Sequence, residues 1–287
     1  MSAEIPRSGR RSRRRRAVVI KALCALLVFS GSLYASRATG NFFLRAQVRS
    51  VSAHVLNPNS TSVMPHVLYL NLKRRHDRRV SIENQMRKAN IQADRIEAVH
   101  VEHDDTALSS CWDPKRLLTC AGRLGCQRSH VKALEYAAEK EWPHVAIFED
   151  DFVWADDVNP QLVLPSISQV QAWSPTWDVI AISLSISKFE TIPEKQVRVG
   201  VNKTSILTTI SAAGATHGYM VRSHLYSTLI QIFSSCDVQS SLGAAIDVCW
   251  NSLQNRTKWY GLVPQLGKQA ESYSDIEGRI VSYPMIK

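Results

Sequence analysis

The chain predicts an α/β sandwich with a mostly parallel central sheet, and three observations carry that expectation. Short apolar runs rich in β-branched and aromatic residues recur at 66–72, 95–101, 144–148, 177–183 and 215–221, and each has strand length. Segments with helical spacing lie between several of them, and strands alternating with helices make a layered α/β body. One run, His144-Val145-Ala146-Ile147-Phe148, ends abruptly in Glu149-Asp150-Asp151. In an open α/β sheet, ligands bind outside the carboxyl ends of the strands.

The net charge of +10 does not describe this body. Of 35 Lys/Arg and 25 Asp/Glu, eleven bases and one acid, Glu4, fall in residues 1–49. The rest of the chain holds 24 of each and is formally neutral, so a nucleic-acid surface is not expected. Arg7, Arg10, Arg11 and Arg13 to Arg16 precede an apolar run from Ala17 to Ala35 whose single charge is Lys21. That run is long enough to cross a hydrocarbon core as a helix, with Lys21 snorkelling to the headgroups. Arginines ahead of the span hold the N-terminus in the cytosol. The expected organisation is a basic cytosolic tail (1–16), a transmembrane signal-anchor (17–36), a stem (37–64) and a catalytic domain (65–287). This is a type II membrane protein with its body in the lumen of the Golgi or endoplasmic reticulum. A cleaved signal peptide is the competing reading, since small residues follow around Ala35-Ser36; the long basic head and the length of the run favour the anchor. The same run argues against reading the arginines as a nuclear signal.

Two features suit a lumenal body. Asn59-Ser60-Thr61, Asn202-Lys203-Thr204 and Asn255-Arg256-Thr257 are glycosylation sequons. Cys111/Cys120 and Cys236/Cys249 have spacings that could close short loops in an oxidising compartment, which would leave Cys126 as a buried thiol; spacing alone does not fix the connectivity.

The elements follow in order. His66 to Leu72 reads as the first strand, and a helix from Asp77 or Arg78 to Lys88 carries Val80, Ile82 and Met86 as its apolar positions. Arg95 to Val101 is the next strand, and Glu102 to Arg123 an irregular loop. A helix from about Gly125 to Glu141 places Cys126, His130, Leu134 and Ala137 on one face. It leads into the acid-tipped strand. Alternation along that strand sends Glu149 and Asp151 to one side and Asp150 to the other. Trp177 to Ser183 and Ala215 to Val221 are further strands, the second feeding a helix from about Ser223 to Phe233.

The chemistry-bearing residues each have a plain alternative. Three adjacent acids also make an ordinary acidic turn; as a site, Glu149 and Asp151 would hold a hard divalent cation through oxygen, and the cation would clamp a diphosphate. Arg75, Arg78 and Arg79 sit at a helix start, where the macrodipole disfavours positive charge; a ligand role, with guanidinium forks on phosphate, explains that misfit. His130 on an apolar face is more often a hydrogen-bonded core residue than a ligand. Asp247, inside Ala245-Ile246-Asp247-Val248-Cys249-Trp250, is an acid in an apolar run, suited either to general-base work or to capping a helix.

Together these residues carry a resemblance. Tyr69 to Arg79 resembles the opening motif of glycosyltransferase family 25, which includes bacterial lipooligosaccharide and animal procollagen galactosyltransferases. Gly125-Cys126 with Ser129-His130, Phe148 to Asp151, Trp177 to Ile180, Gly214 to Val221, Ile246-Asp247, and Gln269 with Ser274-Asp275-Ile276 are similar to its later blocks, in order, across roughly 66–277. The chain departs from the pattern at His217, where a small residue is usual, and lacks a Pro before Ile246-Asp247.

The resemblance implies a GT-A-like, Rossmann-type nucleotide-sugar-binding sandwich. It implies an inverting transferase that moves a hexose, galactose ahead of glucose, from a UDP-sugar to a hydroxyl of a glycan or glycoprotein acceptor. Mn2+ is the expected metal, on Glu149 and Asp151. Asn71, Arg75, Arg78, Arg79, Ser129, His130 and Asp150 would bind the donor, and Asp247 would be the catalytic base. The competing reading is a membrane-anchored binding protein that keeps the scaffold without the chemistry.

Overall fold

Both faces of the central strands are buried, and that decides the layering. In a computed structural model, which describes residue 64 and residues 66–102, 105–111, 117–237 and 245–281, β1 (Val67–Asn71) and β3 (His144–Glu149) lie side by side in parallel. Leu68, Leu70, Val145 and Ile147 point into one core; Val67, Tyr69, Ala146 and Phe148 point into the other. A strand buried on both sides reads as a continuous apolar run, and each fully buried aliphatic side chain contributes about 1.5–3 kcal/mol.

The sheet order is β2-β1-β3-β6-β5-β7, with β2 at Asp94–Glu97, β5 at Val179–Arg198, β6 at Thr204–Arg222 and β7 at Trp259–Val263. Five strands point one way; β6 alone runs against its neighbours β3, β5 and β7. The expected mostly parallel sheet is therefore present, with one reversed strand inserted by the long β5–β6 hairpin. The described residues all lie in one compact unit, Leu56–Lys287.

Helix α1 (His76–Lys88) buries Ile82 and Met86, four residues apart on one face, while Val80 is 60% exposed and does not join them. Helix α2 is longer than its sequence suggests. It spans Leu117–Glu139, so Gly125 lies in its middle, not at its start. The cysteine-bearing stretch obscured this, because a Cys111–Cys120 disulfide ties the helix's first turn to a 3-10 turn at Thr106–Ser110. His130, Leu134 and Ala137 are fully buried along the expected face. α3 (Val163–Trp173), α4 (Tyr226–Ser234), α5 (Ile246–Cys249) and α6 (Asn251–Gln254) complete the layers. Cys236–Cys249 links the end of α4 to α5. Two small sheets close the body: β4 (Phe152–Trp154) with β8 (Gly267–Gln269), and β9 (Ser272–Ser274) with β10 (Arg279–Val281).

Among the described residues, no helix is long and apolar enough to cross a membrane. The run at 17–36, most of the stem and the sequon at Asn59 lie outside them. Asn202 and Asn255 are both exposed.

The β5–β6 ladder breaks at one place that shapes the site. Ser183 pairs with Gly218 and Ser185 with Gly214, so Leu184 faces three residues of β6, Ala215, Thr216 and His217. Such a bulge strips ladder partners from the opposite strand, and buried backbone groups need replacements. Gln265 supplies them, its side chain accepting from Leu184 N–H and donating to Leu184 C=O. Gln254 does the same for Ala213, one residue before the bulge is reached at Gly214. Both glutamines are buried. Gln265→Ala should therefore cost about 1–3 kcal/mol, the desolvation of two unpaired backbone groups; urea denaturation reads it, and a loss under about 0.5 kcal/mol, the range of ordinary surface changes, would contradict it.

Candidate active site

The acid-tipped strand opens onto a cavity of about 740 Å³. β3 ends at Glu149, and the backbone turns at Asp150 and Asp151. The alternation expected along a strand therefore stops one residue early. All three acids line the cavity, and one nitrogen of Arg78 reaches both Asp150 (2.9 Å) and Asp151 (3.2 Å).

Each acid has its own partners. Glu149 accepts from the Thr216 hydroxyl at 2.5 Å and lies 3.3 Å from His130 Nε2. Burial pushes its carboxyl up, but the His130 hydrogen bond, the neighbouring His217 and the Thr216 hydroxyl together hold it below the ordinary range. Asp150 accepts from Asn71 Nδ2 at 2.7 Å and from Arg78. Burial pushes it up to about 6; Asp151 adds to the rise and Arg78 opposes it. The Asp151 Oδ2 accepts from Arg78 and from Gln269 Nε2 at 3.0 Å. Its Oδ1 is buried with no partner.

The other expected residues divide. Asn71, 1% exposed, is fully engaged: it donates to Arg75 C=O and Asp150 and accepts from Arg95 Nε. It braces the acids, and both amide hydrogens are spent inside the protein. Arg78 lines the cavity with the half-exposed Arg74. Arg75 does not; Asp77 and Asp275 hold it. Arg79 also points elsewhere and pairs with Glu83, one helical turn on. A basic run on a helix spreads its side chains 100° apart, so the arginines cannot share one destination. Ser129 lines the cavity, but its hydroxyl donates to Gly125 C=O at 2.6 Å and accepts from Val99 N–H at 2.8 Å. It fastens α2 to the segment after β2. Gly125 permits that approach, since a Cβ there would lie 2.7 Å from Val99 O. His130 is wholly buried between the Tyr219 hydroxyl (3.0 Å) and Glu149. Cys126 carries no disulfide, is half-buried, and its thiol is pushed well up by burial.

Asp247 lines the same cavity from α5. Its Oδ2 accepts from Ala215 N–H at 2.7 Å, and its Oδ1 is buried without a partner. Ala215 takes a left-handed φ of 61°, a conformation that costs a non-glycine residue roughly 1–3 kcal/mol. The bulge sets this conformation and aims the amide at Asp247.

A metal fits this chemistry. Glu149, Asp151 and His217 each offer one ligand atom, all within 4.8 Å of one another. A second group, Cys126, His130 and Glu149, meets the same distance.

Sequence reasoning missed Thr216, His217 and the function of Gln269 and Asp275. Thr216 and His217 are placed by the bulge, and no local sequence signal marks it. His217 left one trace, as the residue that departs from the family pattern.

An α/β sandwich with three acids, an arginine pair and a separate carboxylate around one cavity has the parts of a transferase. Residues 64–250 match the model described as Glycosyltransferase family 25 (LPS biosynthesis protein). The chain belongs to glycosyltransferase family 25. No curated protein matches it by sequence search. Among solved structures, it is similar to a glycosyltransferase involved in the glycosylation of the major capsid of PBCV-1 (7% identity, 71% of this chain and 92% of that one, TM-score 0.40). It is also similar to A197 from STIV (9%, 77% and 97%, 0.38) and to a UDP-glucose pyrophosphorylase complexed with UDP-glucose (9%, 74% and 79%, 0.33). At these identities and scores, the likeness carries no functional argument.

Arg78 should govern the stability of this cluster. Arg78→Met removes the guanidinium that reaches both Asp150 and Asp151 and should cost about 3–5 kcal/mol. Adding Asp150→Asn in that background should recover part of the loss, because one of the two like charges is gone. Urea denaturation of the single and double variants reads this; equal stability of the two would overturn it.

Proposed function

We propose that this chain is a metal-dependent, inverting hexosyltransferase that moves galactose from UDP-galactose to a hydroxyl of a glycan or glycoprotein acceptor. The observation that carries the reading is one cavity that joins three acids and Arg78 on one part of its wall to Asp247 on another. Glu149 and Asp151 would hold a divalent cation, Mn2+, which when bound supplies charge to neutralise the UDP leaving group. Arg78 and Gln269 hold Asp151 by its Oδ2, which leaves its buried Oδ1 without a hydrogen-bond partner. Arg78 and Arg74 add positive charge beside the diphosphate. His130 and Thr216 keep Glu149 ionised and oriented. Asp247, fixed by the Ala215 amide, takes the proton from the acceptor hydroxyl through its free oxygen as that hydroxyl attacks the anomeric carbon from the face opposite UDP. Ser129 and Asn71 position the elements around the donor and do not touch it.

The chain works, in this reading, as a type II membrane protein anchored by residues 17–36, with its body in the lumen of the Golgi or endoplasmic reticulum. Two disulfides and two exposed sequons support an oxidising, glycosylating compartment.

The test is a thermal-shift titration with UDP, with and without Mn2+, beside a donor-hydrolysis screen across UDP-sugars. Ligands that bind the native state raise its Tm. The wild type should show a Mn2+-dependent shift and hydrolyse UDP-galactose; Asp151→Ala should lose both. Asp247→Asn should keep the shift and lose transfer by roughly 10²–10⁴-fold. Unchanged turnover in that variant excludes Asp247 as the base. A wild type with no metal-dependent shift points instead to a binding protein without the chemistry.

A further inference from the structure

His217 has no place in the function described so far, yet it stands where the cation would sit. β3 and β6 pair Phe148 with Gly218. Continued by one residue, that register would set His217 opposite Glu149, and directly opposed residues of an antiparallel pair present their side chains on the same face. The β6 bulge then lets His217 stand over the turn where Asp151 sits. Its ligand atom lies within 4.8 Å of those of both Glu149 and Asp151. The residue is half-buried and lines the cavity.

A cluster of acids alone would not define a cation site. Here a second, independent feature points to one: Asp151 is 8% exposed and its Oδ1 has no hydrogen-bond partner. A buried carboxylate oxygen left unpaired is costly, and a cation would satisfy it. The alternative group, Cys126 with His130 and Glu149, is a poorer host. Both ring nitrogens of His130 are already engaged, with Tyr219 and with Glu149.

We propose that His217 is the third protein ligand of the cation, through an imidazole nitrogen, and that this nitrogen biases the site towards transition ions over Mg2+. The proposal deepens the transferase reading and rests on it. The physical ground is ligand type. Mg2+ takes oxygen donors in a near-ideal octahedron, whereas imidazole suits first-row transition ions. Two carboxylates alone would leave Mg2+ and Mn2+ close competitors. One nitrogen in the set separates them.

The experiment uses the purified full chain with UDP and compares the wild type with His217→Ala, His217→Asn and Asp151→Ala. Mn2+ affinity is measured by electron paramagnetic resonance titration, and Mg2+ affinity by its competition with Mn2+. Pulsed electron spin-echo measurements on the Mn2+-loaded protein detect a directly bonded imidazole nitrogen. The wild type should show that nitrogen coupling, and both His217 variants should lose it. His217→Ala should weaken Mn2+ by at least about tenfold, the loss typical of even an outer partner of a metal ligand. His217→Asn, which offers a carbonyl oxygen, should narrow the gap between Mn2+ and Mg2+. If His217→Ala keeps both the nitrogen coupling and wild-type Mn2+ affinity while Asp151→Ala loses Mn2+, His217 is no ligand and the transferase reading stands. If the wild type binds no Mn2+ in the presence of UDP, both fall together.

Discussion

Three neighbouring carboxylates at the end of a buried strand repel one another, and much of the structure answers that repulsion. Two like charges 4 Å apart at an effective dielectric of about 20 oppose each other by about 4 kcal/mol. The protein gives each acid separate compensation from a different part of the chain. Glu149 draws on α2 and β6 through His130 and Thr216. Asp150 draws on β1 through Asn71, and on α1 through Arg78. Asp151 shares Arg78 and takes Gln269 from β8. These partners lie between 19 and 118 residues from the acid they serve. Buried side by side, the acids stay charged because the sheet, both helix layers and the closing strands each supply a partner. Holding that charge at the cavity therefore depends on the whole fold.

The β6 bulge is the second constraint, and it connects the two sides of the cavity. Three consecutive residues do different work. The Ala215 amide fixes Asp247, the Thr216 hydroxyl fixes Glu149, and His217 stands with Glu149 and Asp151. A regular strand would alternate these side chains across the sheet and keep the Ala215 amide in the ladder. The bulge frees all three from that pattern at the cost of a left-handed alanine and an unpaired Leu184, which Gln265 repairs. A displacement of the bulge would move the carboxylate proposed as base and the acids proposed to hold the cation at once.

Much of the framework was legible because it rests on local pattern. β1, β3 and α1 follow apolar runs and spacing, and Glu149, Asp151 and Asp247 stood out as acids at the end of, or inside, such runs. Both disulfides join the cysteines whose spacings suit short loops, although spacing alone does not fix the pairing. The start of α2 was hidden by its own disulfide loop, and α3 and β7 carry weak periodicity. Residue roles were less legible than residue positions. Ser129 and Asn71 carry the polar groups of ligand-binding residues, and only tertiary contact shows those groups already spent on Val99, Gly125, Arg75, Arg95 and Asp150. The bulge itself depends on how two distant strands pair, which no local window contains.

The arginines illustrate how a correct observation led to a partner the sequence did not name. Positive charge at a helix N-terminus opposes the macrodipole, and something must offset it. Asp77 lies in the first turn of α1, and Asp275 arrives from the closing segment to pair with Arg74 and Arg75. Arg78 reaches Asp150 and Asp151, and donates to Ser272 and the Tyr273 carbonyl on the same closing segment. Ile276 completes the attachment by packing against α2 at Gly122, where a Cβ would lie 2.7 Å from its Cα. The misfit was real, and the chain's own carboxylates resolve most of it. One guanidinium thus ties the closing segment to the acid cluster, so the position of that segment and the charge state of the cavity wall are set by the same interaction.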